Sequence, residues 1–246
     1  MSSINGMMKI WQGTRAFVFY VGLVALILLM LLALCLVGFL PFRYRQLCVT
    51  SGNRVLMLWL RLTCGVKINV RGLDNIPTSA CVVLSNHQST WETFFLQYLF
   101  VPATVILKRE LLWIPFFGWG LYFMRAIAIK RSNPAGAIRQ VLKQGKQRLA
   151  KGINVVIFPE GTRSKSDEMS TFKKGALKLA EKAQSLIVPL TLNGTYKLLE
   201  ANKGINIKGA TIHVTVHPPV DIKAYSKDTL DILANILEEQ IKSGLQ

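Results

Sequence analysis

The chain alternates between long apolar runs and basic punctuation. Ala16 to Leu40 is 25 residues without a charge, with Lys9 and Arg15 before it and Arg43 and Arg45 after. As a helix this run would be about 37 Å long, against a bilayer hydrocarbon core of about 30 Å. It exceeds the usual apolar run of a secretion leader and no small-residue cleavage site follows, so a retained membrane anchor is expected. A hairpin or interfacial helix that never crosses is the rival reading. A second apolar stretch lies between Arg54 and Arg61, two arginines that share one helix face.

From Val66 onward the pattern changes. Val66–Arg71 alternates and reads as the first strand. Ala80–Leu84 is a short apolar run after the turn signal Asn75-Ile76-Pro77, and reads as a buried strand. Further strands are expected at Ala103–Lys108, Ala126–Ile129, Asn154–Phe158, Leu186–Leu192 and Thr211–Val216. Between them, helical patterns occupy Thr93–Phe100, the stretch from Asn133-Pro134 to Gly152, Lys173–Ala183 and residues 226–242. Leu111–Met124 carries no charge, is too short to span a bilayer, and contains Pro115, Gly118 and Gly120. It reads as a buried or re-entrant segment, with ordinary core packing as the plain alternative. Strands alternating with helices predict an α/β fold with a largely parallel, mixed sheet wrapped by helices. The expected division is a membrane-anchoring helical segment at 1–62 and a globular domain at 63–246.

Charge narrows the possible partners. Thirty Lys and Arg against 13 acids give a formal charge of +17, and residues 1–151 hold 18 of the bases against only Asp74, Glu92 and Glu110. Such a basic front three-fifths favours an anionic partner: membrane lipid, an acidic carrier, or nucleic acid. The last explains the charge but not Ala16–Leu40, and no nucleic-acid motif is present. Cys35, Cys48, Cys64 and Cys81 have neither pairing nor metal spacing. His213 and His217 alternate with apolar residues, so they would share the exposed face of a strand, too far apart to chelate easily; no metal is expected.

Two constellations carry chemistry. In Asn86-His87-Gln88-Ser89-Thr90-Trp91-Glu92, His87 sits where a strand gives way to a helix. Five residues of helix rotate a side chain by about 140°, so His87 and Glu92 can meet only with His87 in the preceding turn and Glu92 in the first helical turn. A carboxylate on one imidazole nitrogen leaves the other free to take a proton. Ser89-Thr90-Trp91-Glu92 is equally a capping box, in which Glu92 merely returns a hydrogen bond to Ser89. Further on, Phe158-Pro159-Glu160-Gly161-Thr162-Arg163 leaves a strand with a glycine for close backbone approach, a hydroxyl, and a guanidinium fork suited to phosphate. Lys173 and Lys174 could add positive potential there. The plain alternative is a charged turn with an exposed arginine.

Taken together with Lys108-Arg109-Glu110-Leu111, Pro115, Gly118 and Val188-Pro189-Leu190, these blocks stand in an order and spacing that resembles the glycerolipid acyltransferase family, in particular its bacterial 1-acylglycerol-3-phosphate acyltransferases. The likeness covers about residues 65–220. It implies a glycerol-3-phosphate acyltransferase-like fold and makes 63–246 the catalytic domain. It implies that His87 is the base on a lysophospholipid hydroxyl, with Glu92 orienting the imidazole. Glu160, Gly161, Thr162 and Arg163 would hold the glycerol phosphate, with Lys108 and Glu110 beside it; Pro115, Gly118, Val188 and Pro189 would border the acyl chain. Lysophosphatidic acid and membrane lipid are the implied partners and acyl-CoA or acyl-carrier-protein the donor, with no metal or organic cofactor, at the cytoplasmic face of the inner membrane. Another lysophospholipid or aminolipid acceptor, or a catalytically silent lipid-binding role, are the alternatives. Three departures stand out: Glu92 where Asp is usual, Arg125 where a small residue is common, and Lys130 in place of an acid.

Overall fold

The computed structural model describes residues 2–115, 117–164, 169–198 and 210–245, and side chains from residue 10 onward except those of residues 197 and 227. The chain opens with helices α1 (Ser2–Val37) and α2 (Phe42–Cys64). It continues with β1 (Lys67–Arg71), β2 (Val82–Ser85), α3 (Trp91–Leu99), β3 (Ala103–Lys108), α4 (Phe117–Phe123) and β4 (Ile127–Ile129). The remainder is α5 (Pro134–Leu149), β5 (Asn154–Ile157), α6 (Gly175–Ala183), β6 (Leu186–Asn193), β7 (Thr211–Val216), β8 (Val220–Asp221) and α7 (Leu230–Lys242).

The strands form one sheet in the order β1-β7-β6-β2-β5-β3-β4, with β8 also on β6. All neighbouring pairs are parallel except β6–β7 and β6–β8. Cys81, Val82, Val83 and Leu84 are completely buried because helices cover both faces, which is why they read as an unbroken apolar run rather than an alternation. Val83, Val156 and Val188 face Phe95, Leu96 and the α1–α2 pair, while Val82, Val155 and Ile187 face α5, α6 and α7. Pro189 stands in the middle of β6, where a missing N–H would usually break a ladder. A strand residue sends its N–H and C=O to the same side, and the Pro189 carbonyl accepts from His217 N–H at 3.0 Å. The missing donor therefore faces the break between β7 and β8.

The first two helices are an antiparallel hairpin packed onto the sheet domain. The Arg15 guanidinium donates to the Thr63 carbonyl, and Trp59 Nε1 donates to Phe19 O at 3.2 Å. Gly22 lies against Trp59 and Gly52 against Met30, so small residues let the helices approach. Phe19 of α1 and Leu56, Met57 and Leu60 of α2 belong to the same core as β2 and β5. The opposite side of α1 exposes Phe17, Val21, Val24, Leu28, Leu32 and Leu36. Ile10–Val37 is long and apolar enough to cross a membrane.

Two expectations change in detail. Leu111–Met124 is neither wholly buried nor irregular: α4 forms despite Gly118 and Gly120, and Trp113, Ile114, Trp119 and Tyr122 face outward. Gly118 is there because a Cβ would collide with the Leu112 backbone. His217 does not share the open face with His213; it lies past the end of β7, half-buried, with Nε2 2.8 Å from Thr191 Oγ1. The expected anchor packs against α2, the hairpin arrangement that stood as the rival reading.

Candidate active site

β2 ends at Ser85 and α3 begins at Trp91, so residues 86–90 form a short loop at the carboxyl end of a central strand. Asn86 fixes where that loop starts. Its side-chain amide donates to Leu192 O and accepts from Leu192 N, both at 2.8 Å, continuing the β2–β6 pairing with a side chain in place of backbone. His87 follows in the loop and Glu92 is the second residue of α3, the one arrangement in which the two can meet.

They do meet: His87 Nδ1 lies 2.6 Å from Glu92 Oε2. The Glu92 carboxylate is completely buried yet fully engaged. Its Oε1 accepts from Gln88 N and Ser89 N, each at 2.9 Å, and from the Thr195 hydroxyl, while Oε2 also accepts from Gln88 N at 3.0 Å. One side chain therefore makes both the capping contact to Ser89 N–H and the contact to the His87 ring. The carboxylate oxygens meet N–H and O–H donors on every other side, so the neutral imidazole that fits them carries its proton on Nδ1. That leaves Nε2 unprotonated. The imidazole, 13% exposed, lies parallel to the Phe158 ring, with centroids 3.9 Å apart and planes at 19°.

The second loop locks onto the first. Glu160, nearly buried, accepts His87 N–H on Oε1 at 2.7 Å, and the Ser164 hydroxyl (2.5 Å) and Ser170 N–H (3.0 Å) on Oε2. Ser164 N–H returns a bond to His87 O at 2.8 Å. Glu160 was expected with the phosphate ligands and is instead a staple between loops, since an inward carboxylate has its lone pairs occupied and would repel a phosphate. Gly161 has φ of 74°, and a Cβ there would lie 2.6 Å from Lys173 Nζ. Thr162 and Arg163 are exposed beside it, and Arg163 has no partner among the described residues. Lys174 turns away to Asp231, 2.6 Å distant.

The other expected positions spread out. Lys108 closes β3 at the same carboxyl end of the sheet, exposed, and Glu110 follows in a 3-10 turn, also exposed. Pro115 is exposed, Gly118 is buried against Leu112, and Val188 and Pro189 are buried inside β6. None of these four lines the apolar groove beside the His87 loop. That groove starts at Thr90 and Trp91, runs between Phe19, Leu23, Leu60 and Leu198, and continues through the shared Leu23, Leu56 and Phe94. Its continuation reaches Met30, Leu34 and α4. The sequence signalled these walls only as a helical apolar stripe, and Thr195 by nothing at all.

Comparison with known proteins follows the same blocks. The Acyltransferase family model matches residues 67–193. The chain is 48% identical over 155 residues to the 1-acyl-sn-glycerol-3-phosphate acyltransferase of Pseudomonas aeruginosa, covering 63% of this chain and 60% of that protein. It is 33% identical over 191 residues to the enzyme of the same name in Borreliella burgdorferi, covering 77% and 74%. The matches span less than two thirds of several relatives, 60% of the Pseudomonas protein and 49% and 45% of two chloroplast proteins. The crystal structure of the 1-acyl-sn-glycerophosphate (LPA) acyltransferase of Thermotoga maritima superposes with a TM-score of 0.81 at 25% identity, covering 96% of this chain and 95% of that one. With the family model spanning both loops of the site and the whole sheet superposing, this chain belongs to the Acyltransferase family.

Proposed function

We propose that the protein transfers an acyl chain from a thioester of coenzyme A or acyl-carrier-protein to the 2-hydroxyl of 1-acyl-glycerol-3-phosphate, giving phosphatidate. The observation that carries this reading is the 2.6 Å contact between His87 Nδ1 and the buried Glu92, which leaves Nε2 as a base on the loop that ends at Thr90, where an apolar groove begins. Nε2 takes the proton of the acceptor hydroxyl as its oxygen attacks the thioester carbonyl carbon. Glu92 stabilises the imidazolium that forms. The tetrahedral intermediate then expels the thiolate, which receives the proton from Nε2 as the new ester forms. The chain leaves the cycle unchanged.

The exposed Arg163, the Gly161 backbone and Lys173 offer a charge-assisted seat for the acceptor's phosphate, with Lys108 at the same end of the sheet. The groove between α1, α2 and α3 suits an acyl chain. The exposed apolar stripe of α1 and the basic balance support attachment to an anionic membrane surface, on the cytoplasmic side of the inner membrane. Because α2 and the core flank α1, the hairpin dipping into one leaflet explains more of the exposed surface than a lone span. The test is single-turnover acyl transfer with lysophosphatidate and both donors for wild type and His87→Ala. The expected loss is about 10²–10⁴-fold with an unchanged melting curve. Retention of more than about a tenth of the rate would remove His87 from the chemistry.

A further inference from the structure

Arg125 is strained and shares its place with two other arginines. Its φ is 54°, a left-handed conformation that costs a residue with a side chain, and strain of this kind persists where something else requires it. The Arg125 carbonyl accepts from Arg148 Nε at 3.2 Å and from Thr104 Oγ1 at 3.0 Å. The Arg125 guanidinium lies 4.9 Å from the Phe42 ring centroid and the Arg45 guanidinium 5.8 Å from the same centroid. Three guanidiniums thus gather where the first turn of α2 meets the start of β3 and the end of α5.

Nothing in the described chain neutralises them. The ion pairs among the described residues use His87, Lys174 and Lys242, none of these arginines. Arg45 Nε is buried without a hydrogen-bond partner. Arg45 and Arg148 are both pushed below the usual guanidinium range, first by burial and then by the charge of Arg125. Clustered cations with an idle donor lack an anion.

The surroundings say which anion. Gln46 donates to the Ala103 carbonyl at the amino end of β3, so the cluster lies at the opposite end of the sheet from His87. It sits at the turn of the α1–α2 hairpin, where Leu36, Phe39, Tyr44, Leu47 and Tyr122 are exposed. Guanidiniums rimmed by exposed apolar and aromatic side chains have the arrangement of a headgroup site at a bilayer interface. We propose that Arg45, Arg125 and Arg148 form a second anion site, distant from the catalytic loop, that holds the phosphate of an anionic membrane phospholipid and seats the hairpin turn on the bilayer surface.

The experiment is flotation of the full chain with phosphatidylcholine vesicles, with and without phosphatidylglycerol. Arg45→Gln, Arg125→Gly and the triple variant with Arg148→Gln are compared with a control of equal charge loss on the outer face of α5, Arg139→Gln with Lys143→Gln and Lys146→Gln. Glycine accepts the backbone of residue 125, so Arg125→Gly should melt at or above the wild-type temperature. Each cluster substitution should weaken binding to the anionic vesicles by about fivefold, and the α5 control by no more than about twofold. Equal losses in the two sets would reduce the cluster to general surface charge and overturn the site. Stabilisation of wild type but not Arg125→Gly by inorganic phosphate, with vesicle binding unaltered, would assign it to a free phosphate and overturn the lipid.

Discussion

The backbone N–H of His87 donates to Glu160 Oε1 at 2.7 Å, so the residue expected to do the chemistry is positioned by the loop expected to hold the phosphate. The two motifs are mechanically one unit, closed by the return bond from Ser164 N–H to His87 O.

Glu160→Ala should therefore damage both functions. Three donors lose a buried charged acceptor, at about 1.5–3 kcal/mol for each such bond before relaxation. The expected result is a fall in stability of about 2–4 kcal/mol and a fall in kcat together with a rise in KM for the phosphate acceptor. Glu160→Gln keeps an oxygen for His87 N–H but turns an amide on Ser164 and Ser170, so it should lie between. A change in KM alone would mean that Glu160 touches substrate instead.

Glu92→Gln would be almost neutral for stability if the residue only capped its helix. The geometry gives another result, because both oxygens accept from N–H or O–H groups. A glutamine must point its amide at a donor on one side or the other. Either the Gln88 and Ser89 N–H groups lose their acceptor, or His87 changes tautomer and places its proton on Nε2. We expect a loss of about 10²–10⁴ in single-turnover rate and a drop in melting temperature. Glu92→Asp is shorter and cannot serve all these donors at once, so it should regain only part of the rate.

Gly161→Ala tests the phosphate seat. A side chain at φ of 74° is strained, and the new methyl displaces Lys173 Nζ from 2.6 Å. A stability cost of about 1 kcal/mol or somewhat more is expected, with KM for the acceptor raised and KM for the thioester donor unchanged. An effect confined to the donor would move this loop away from the phosphate.

His217 makes a pH prediction. Thr191 gives its single hydroxyl proton to Ile241 O at 2.8 Å, so it accepts from His217 Nε2–H. Burial holds the His217 pKa below the ordinary 6.5. The unfolded chain therefore binds a proton that the folded chain refuses. Stability is full above the unfolded value, near 6.5, and declines as pH falls from there through the lower folded value. His217→Gln should flatten the fall of melting temperature in that acidic window while leaving the curve above about pH 7 parallel to wild type. An unchanged acid slope would show that other groups cause it.

Most of the strands and helices and the two motif loops could be read from the chain alone, because these rest on local periodicity and on turn chemistry; α4 and the short β8 could not. Ala80–Leu84 had to hold a covered strand, found as Val82–Ser85, and Asn133 had to cap α5, which it does by accepting Gly136 N–H at 2.9 Å. The meeting of His87 with Glu92 was legible too, since only a loop-to-helix junction permits it at that spacing. Tertiary structure decided what depends on distant partners. The inward turn of Glu160 follows from β2 and β5 being adjacent, which places two loops 73 residues apart in hydrogen-bond contact. Thr195 reaches Glu92 only because β6 lies on the other side of β2. The gathering of Arg45, Arg125 and Arg148 was invisible, since each is an ordinary basic residue until α2, β3 and α5 converge. Hydrophobic period fixes which face of an element is buried; only the packing of elements fixes which polar groups then face one another.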